Sequence, residues 1–175
     1  MRRALPFAAA ALAGALVLAL ILALAGRGGD GAPARASSSF TARDGAFTIA
    51  APRGWKTVAE GPVATVLQRS DKRGVVVIRR RAAVSDPLDA VAARLERSLR
   101  SRLADFRPAG ARVATMGGSD RLVYTFVRPR ADKVQSIVVA PAGDRAYTLD
   151  LVADGDAPDV ARELGSMVTS FAPQA

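Results

Sequence analysis

The side chains whose types and spacing suit a chemical task in this chain are arginines. Arg94, Arg97 and Arg100 recur at intervals of three, with Arg102 beside them, so on a helix the first three are near neighbours on one ridge. A basic ridge can grip the phosphates of a lipid headgroup or a teichoic-type polymer, each contact near an anionic surface adding about 1 kcal/mol. The same row also reads as an ordinary solvated helix face, relieved by Glu96. The single tryptophan, Trp55, follows a Pro52-Arg53-Gly54 turn. Its ring could stack on a sugar or a partner, but a turn tryptophan more often plugs one end of a sandwich core. These five residues make the candidate binding surface.

Other chemistries are closed by composition. The chain has no histidine and no cysteine, which removes Ser-His-Asp triads, thiolate nucleophiles, disulfides and most zinc sites. Asp150, Asp154 and Asp156 lack the calcium-loop pattern of alternating ligands closing on a glutamate. Gly117-Gly118-Ser119 and Gly143-Asp144 are turns without the strand, glycine loop and helix of a phosphate cradle. Hydrolysis by serine with a lysine base, or by paired carboxylates, needs no histidine. Yet none of the three lysines, Lys56, Lys72 and Lys133, stands near a serine in a recognisable spacing. The expectation is therefore a protein that is not an enzyme, with no metal and no cofactor, and an uncharacterised hydrolase as a minor alternative.

The elements that must position the candidate surface follow from periodicity. Phe40 to Arg43 and Ala46 to Ala51 predict a hairpin joined by a two-residue Asp44-Gly45 turn. Strands are predicted from Trp55 to Val58, from Val63 to Arg69, and over the valine run from Gly74 to Arg81. The arginines at 79, 80 and 81 then read as protection of a sheet edge. Leu88, Val91, Leu95, Leu99 and Leu103 form the apolar stripe of a helix capped by Asp86, with Pro87 first, ending near Phe106. A short strand at Arg112 to Met116 precedes strands at Arg121 to Arg128, Lys133 to Ala140 and Arg145 to Ala153. Asp156 is predicted to cap a closing helix whose Val160, Leu164, Met167, Val168 and Phe171 share one face. Short turns between the later strands suit antiparallel neighbours, and the fold class is α+β, an antiparallel sheet sandwiched with helices.

The amino terminus predicts location. Ala4 to Gly26 runs without a charge behind Arg2 and Arg3, long enough for a helix across a hydrocarbon core. Residues 1–26 are read as a signal anchor or transmembrane helix with the remainder exported. The alternative is secretion after cleavage near Ala25, at the Ala23-Leu24-Ala25 site. Residues 27–39, rich in Gly, Ala, Pro and Ser, read as a flexible linker, leaving 40–175 as one α+β domain. The net charge of +9 invites nucleic acid, but export argues against it. Arginine far outnumbers lysine in an alanine-rich chain, the bias a GC-rich genome produces through its codons, so part of that charge is expected to be without a binding role.

The phenylalanine-led strand running into a proline-glycine-tryptophan turn, FTIAAPRGW from Phe47 to Trp55, and the closing helix ending in Ser170-Phe171 resemble the PsbP-like fold family. That family includes photosystem extrinsic proteins, a Ran-binding import factor and bacterial envelope proteins. The resemblance covers Phe40 to Phe171 and implies an α/β/α-like sandwich that acts by binding other proteins or stabilising an assembly. No functional residue transfers, and family members that bind metal use groups such as histidine. The expected protein is thus a membrane-anchored extracytoplasmic binding or accessory module for an envelope protein partner. The alternative is a binder of anionic lipid or wall polymer through the basic helix face.

Overall fold

A computed structural model describes residues 38–174. The anchor and nearly all of the linker expected from the sequence lie outside these residues. Among those described, no helix is long and apolar enough to cross a membrane.

The first hairpin is β1 (Ser38–Thr41) and β2 (Phe47–Ala51). Its loop is longer than the two-residue turn expected: the Ala42 N–H donates to Phe47 O at 3.0 Å and the Gly45 N–H to Ala42 O at 2.8 Å. Only Gly45 has positive φ, at 69°, whereas a type I′ turn needs it at both central residues. The Asp44 side chain instead accepts the Ala46 N–H. The short β10 (Ala172–Pro173) pairs with the other side of β2, completing a three-stranded sheet.

The remaining strands are β3 (Trp55–Glu60), β4 (Ala64–Arg69), β5 (Gly74–Ala82), β6 (Arg107–Met116), β7 (Ser119–Arg128), β8 (Lys133–Ala142) and β9 (Arg145–Asp154). They form a seven-stranded sheet in the order β3-β4-β5-β9-β8-β7-β6, antiparallel at every pairing. Strand β6 starts five residues before the short strand expected at Arg112. It carries Pro108 and Gly110 at a register shift, and an edge strand tolerates both because its outer N–H groups need no partner. Val123 and Val127 of β7 pack on one side while Leu122, Tyr124 and Phe126 pack on the other. A continuous buried run is what a strand covered on both faces requires.

Helix α1 (Leu88–Arg102) covers the β6–β7 part of one face, through Val91 against Leu122 and Val139, and Leu99 against Phe106, Tyr124 and Phe126. Helix α2 (Pro158–Ser170) and the small sheet cover the other face and enclose the main core around Phe47, Ile49, Leu149, Leu164 and Phe171. Neither predicted aspartate cap forms. Pro87 and Ala157, whose side chains cannot accept a hydrogen bond, occupy the N-cap positions, while Asp86 pairs with Arg94 and Asp156 with Arg73 of the β4–β5 turn. Both aspartates stand one residue before the N-cap, where their carboxylates meet an arginine rather than the first-turn amides. Helix α1 ends at Arg102, before Phe106, and the Leu103 N–H closes it on Leu99 O.

Candidate functional site

The α1 arginines stand where the stripe leaves them, on the exposed side of the helix, but they are not equivalent. Arg94 pairs with Asp86, and Arg100 pairs with Glu96 at 2.7 Å while lying 5.5 Å from the Phe106 ring centre. The Arg102 Nε–H donates to Ser98 O at 3.1 Å. Arg97 is exposed and makes no ion pair or hydrogen bond among the described residues. The helix therefore presents a half-neutralised ridge. The Arg100 pair holds the Glu96 carboxyl below the usual range, and Glu96 stays anionic within the row.

Trp55 takes the core position. It is 8% exposed, its ring packs in the main core, and its Nε1–H donates to Glu163 Oε2 at 2.8 Å. Glu163 is held in turn by Arg69, which also bridges to Asp159 at 2.8 Å. Gly74 lies under the ring, so close that an added Cβ would come within 2.7 Å of it. As the only tryptophan, Trp55 makes a testable reporter. Native fluorescence should be blue-shifted and weakly quenched by iodide, and both properties should vanish together on unfolding. Efficient iodide quenching of the folded chain would contradict this placement.

A cleft opens where the β1–β2 loop meets the β3–β4 hairpin, with a volume of ≈ 280 Å³. Phe47 of β2, Ile78 of β5 and Tyr147 of β9 form its floor, the Phe47 and Tyr147 rings meeting edge-on at 6.0 Å. Two ion pairs frame the rim. The Arg43 N–H donates to Glu60 Oε1 at 2.7 Å and its Nε lies 3.1 Å from Glu60 Oε2; Arg80 holds Asp44. The Arg80 guanidinium keeps the Asp44 carboxyl below its ordinary range. The Arg80 Nε is buried, and the guanidinium also interacts with the Tyr147 side chain.

Arg80 corrects the edge-protection reading of Arg79 to Arg81. Strand β5 lies inside the sheet, between β4 and β9, and the edges are β3 and β6. Alternation along β5 puts Arg80 on the same side as buried Val76 and Ile78. It reaches the cleft because β4 ends its pairing at Ala64, opposite Arg79. On the opposite face Arg79 lies 3.9 Å from Asp150. Burial pushes the Asp150 carboxyl upward, against the pull of Arg79. Sequence reasoning missed the cleft. The only local signal was an arginine at the buried parity of an apolar strand.

Among the described residues no group of three His, Cys, Asp or Glu side chains is placed to hold a metal ion. No family model matches the chain, and comparison with curated proteins gives no match. Solved structures do resemble it. Cyanobacterial PsbP (CyanoP) from Synechocystis superposes with a TM-score of 0.60 at 15% identity, covering 85% of this chain and 98% of the other. The Ran-binding protein Mog1p of Saccharomyces cerevisiae gives 0.58 at 13% identity, covering 78% of this chain and 95% of the other. LpqN of Mycobacterium tuberculosis, a protein involved in cell envelope biogenesis, gives 0.50 at 15% identity over 80% of this chain and 91% of the other. At these identities the likeness is one of fold.

Proposed function

Because the chain has a PsbP-like fold, we propose that it is a binding or accessory module, held on the outer side of the cytoplasmic membrane by residues 1–26, whose partner is a protein of the envelope. Binding rather than turnover is in keeping with similar structures such as the Ran-binding Mog1p, and the envelope setting with LpqN. The observation that carries the protein-partner reading is an exposed apolar edge running to the cleft, whose lining includes Val63 but not Val58. Val58 and Val63, 56% and 63% exposed, stand on the free edge strand β3 and the turn after it. Exposed aliphatic side chains beside an apolar cleft suit a protein surface, whereas a phosphate polymer gains nothing from them.

The test is photo-crosslinking in cells, from position 58 and from position 97 of the full chain, with mass spectrometry of the adducts and of the chain's own amino terminus. One dominant protein adduct is expected, and membrane-retained chain without a protein adduct would overturn the reading. The triple change Arg94→Glu, Arg97→Glu and Arg100→Glu should weaken binding of that partner about tenfold and flatten its salt dependence, since exposed pairs contribute a few tenths of a kcal/mol each. Unchanged binding would remove α1 from the interface.

The second reading, contact with anionic lipid or wall polymer, draws on Arg97, which has no ionic partner among the described residues. It requires binding to anionic vesicles that disappears at high salt.

A further inference from the structure

We propose that the corner formed by the carboxy-terminal end of α1, the start of β6 and the β7–β8 turn rests on the anionic headgroups of the membrane that holds the amino-terminal anchor, and so sets which way up the domain stands. The inference rests on the anchored reading above and not on its protein partner.

Three observations carry it. The first is where the chain enters the domain. Ser38 of β1 pairs with Ala51 of β2, which leads through the turn at 52–54 into β3, and the Gly54 carbonyl accepts the Ser70 N–H at 2.8 Å. Register carries that level across the large sheet. Trp55 pairs with Arg69, Gly74 with Ala153, Lys133 with both Asp154 and Arg128, and Arg107 with Val127. The chain therefore enters at the end of the sheet that carries the corner. Residues 27–37 span at most about 40 Å when extended, and seven strands about 4.8 Å apart make a sheet roughly 29 Å wide, so a tether of this length lets the corner reach the surface.

The second is charge. Arg102, Arg107 and Arg130 are exposed at the corner and make no ion pair among the described residues. The two carboxylates beside them are already matched, Asp105 with Arg128 at 3.0 Å and Glu96 with Arg100 at 2.7 Å. The Arg100 guanidinium lies 5.5 Å from the Phe106 ring centre, next in the chain to Arg107, and Arg128 stands two residues before Arg130, so the arginines form one patch. Toward α2 the same end carries carboxylates bridged by Arg69, Arg73 and Lys133, and the Asp132 side chain is turned against Gly155 on that side. Attraction for an anionic surface is thus concentrated at the corner. The third is the opposite end, where Arg43, Arg80 and Arg145 each hold a carboxylate and Arg81 is left exposed without an ion pair among the described residues. Val63, just before β4, also lies at that end, so a domain standing on the corner turns its cleft away from the membrane, toward an envelope partner. An acidic polymer or protein could meet any face of the domain, whereas a membrane meets the end at which its anchor enters, and the unpaired cations gather there. Screening over about 8 Å at physiological salt keeps charges farther up the domain out of the contact.

The chain has no cysteine, so one introduced thiol labels one site. Ala131→Cys in the β7–β8 turn and Ala83→Cys between β5 and α1, both at exposed residues and at opposite ends of the sheet, each carry a bimane on the full chain in nanodiscs whose lipid headgroups bear a nitroxide quencher. Replacing half of the phosphatidylcholine by phosphatidylglycerol should raise quenching at position 131, leave position 83 unchanged, and lose its effect at high salt. Arg102→Gln, Arg107→Gln and Arg130→Gln should each lower the ratio of docked to free domain about fivefold, and together they should abolish the rise. The combination Arg43→Gln, Arg81→Gln and Arg145→Gln removes the same charge at the far end and should preserve it, with Trp55 emission confirming that both triple variants are folded.

No rise at 131, an equal rise at 83, or an equal loss in the far-end variant would overturn the membrane contact and leave the anchor and the protein partner standing. A crosslinker at position 107 that captures an acidic protein in cells, with 131 unquenched, would assign the corner to that protein instead. A chain that does not stay with the nanodiscs would refute the anchor, and this inference with it.

Discussion

Replacing Arg121 by alanine should destabilise the folded chain by about 3–5 kcal/mol, the sum of a large buried side chain lost and two carbonyls left without donors. Arg121 lies on β7 at 1% exposure. Its Nη1–H donates to Val168 O at 3.0 Å and its Nη2–H to Phe171 O at 2.8 Å. Those acceptors lie at the carboxy-terminal end of α2, where helix carbonyls lack intrahelical partners and the dipole is negative. The last turn of α2 contains no basic residue of its own, so the cation comes from the sheet below.

Arg121→Met separates the terms. It keeps most of the volume and removes the cost of burying a charge, which often makes exchange of a buried ion for a hydrophobic residue nearly neutral. Here two acceptors stay behind, so methionine should lie between wild type and alanine. Urea unfolding followed by Trp55 emission measures all three. A loss under about 1 kcal/mol for alanine would show that water or a backbone shift satisfies the two carbonyls without Arg121.

Phe171→Ala should cost a similar amount, about 3–5 kcal/mol, as expected for a large-to-small change in a packed core. The Phe171 ring lies 5.4 Å from Phe47 and 5.5 Å from Tyr147, and the Arg121 guanidinium lies 5.7 Å from its centre. It joins the end of α2 to the small sheet and to β9. Because Arg121 and Phe171 touch, their losses should not add: the double variant should lose less than the two single losses together, by about 0.5–3 kcal/mol. Strict additivity would mean that the two side chains support the helix end independently.

The order of elements as far as the closing helix, the apolar stripes of both helices and the antiparallel connections were legible in the sequence, because each depends on spacing within a few residues; β10, two residues held by pairing with distant β2, was not. The core role of Trp55 was also readable, since a single large ring after a tight turn has few other places to go. The caps were misread for the opposite reason. Asp86 and Asp156 look well placed for local capping, but each helix starts one residue later, with Pro87 and Ala157 at the N-caps, and the carboxylates pair with Arg94 and Arg73. The Asp44-Gly45 turn was misread because the dipeptide is compatible with a longer loop, and the Ala42 to Phe47 pairing selects that loop.

By itself, then, the sequence determined the strand-and-helix order as far as the closing helix, the half-basic outer face of α1, and the lack of the imidazole and thiol chemistry that many active sites require. Tertiary structure alone decided that Arg121 completes a helix end and that Arg80 turns into a cleft floored by Phe47, Ile78 and Tyr147. These groups come from β2, β5, β7 and β9, far apart along the chain. Periodicity tells which face of a strand a residue occupies, but strand order and register decide what stands opposite it. No local pattern carries that information, because the free energy that selects the order comes from burial summed over the whole sheet.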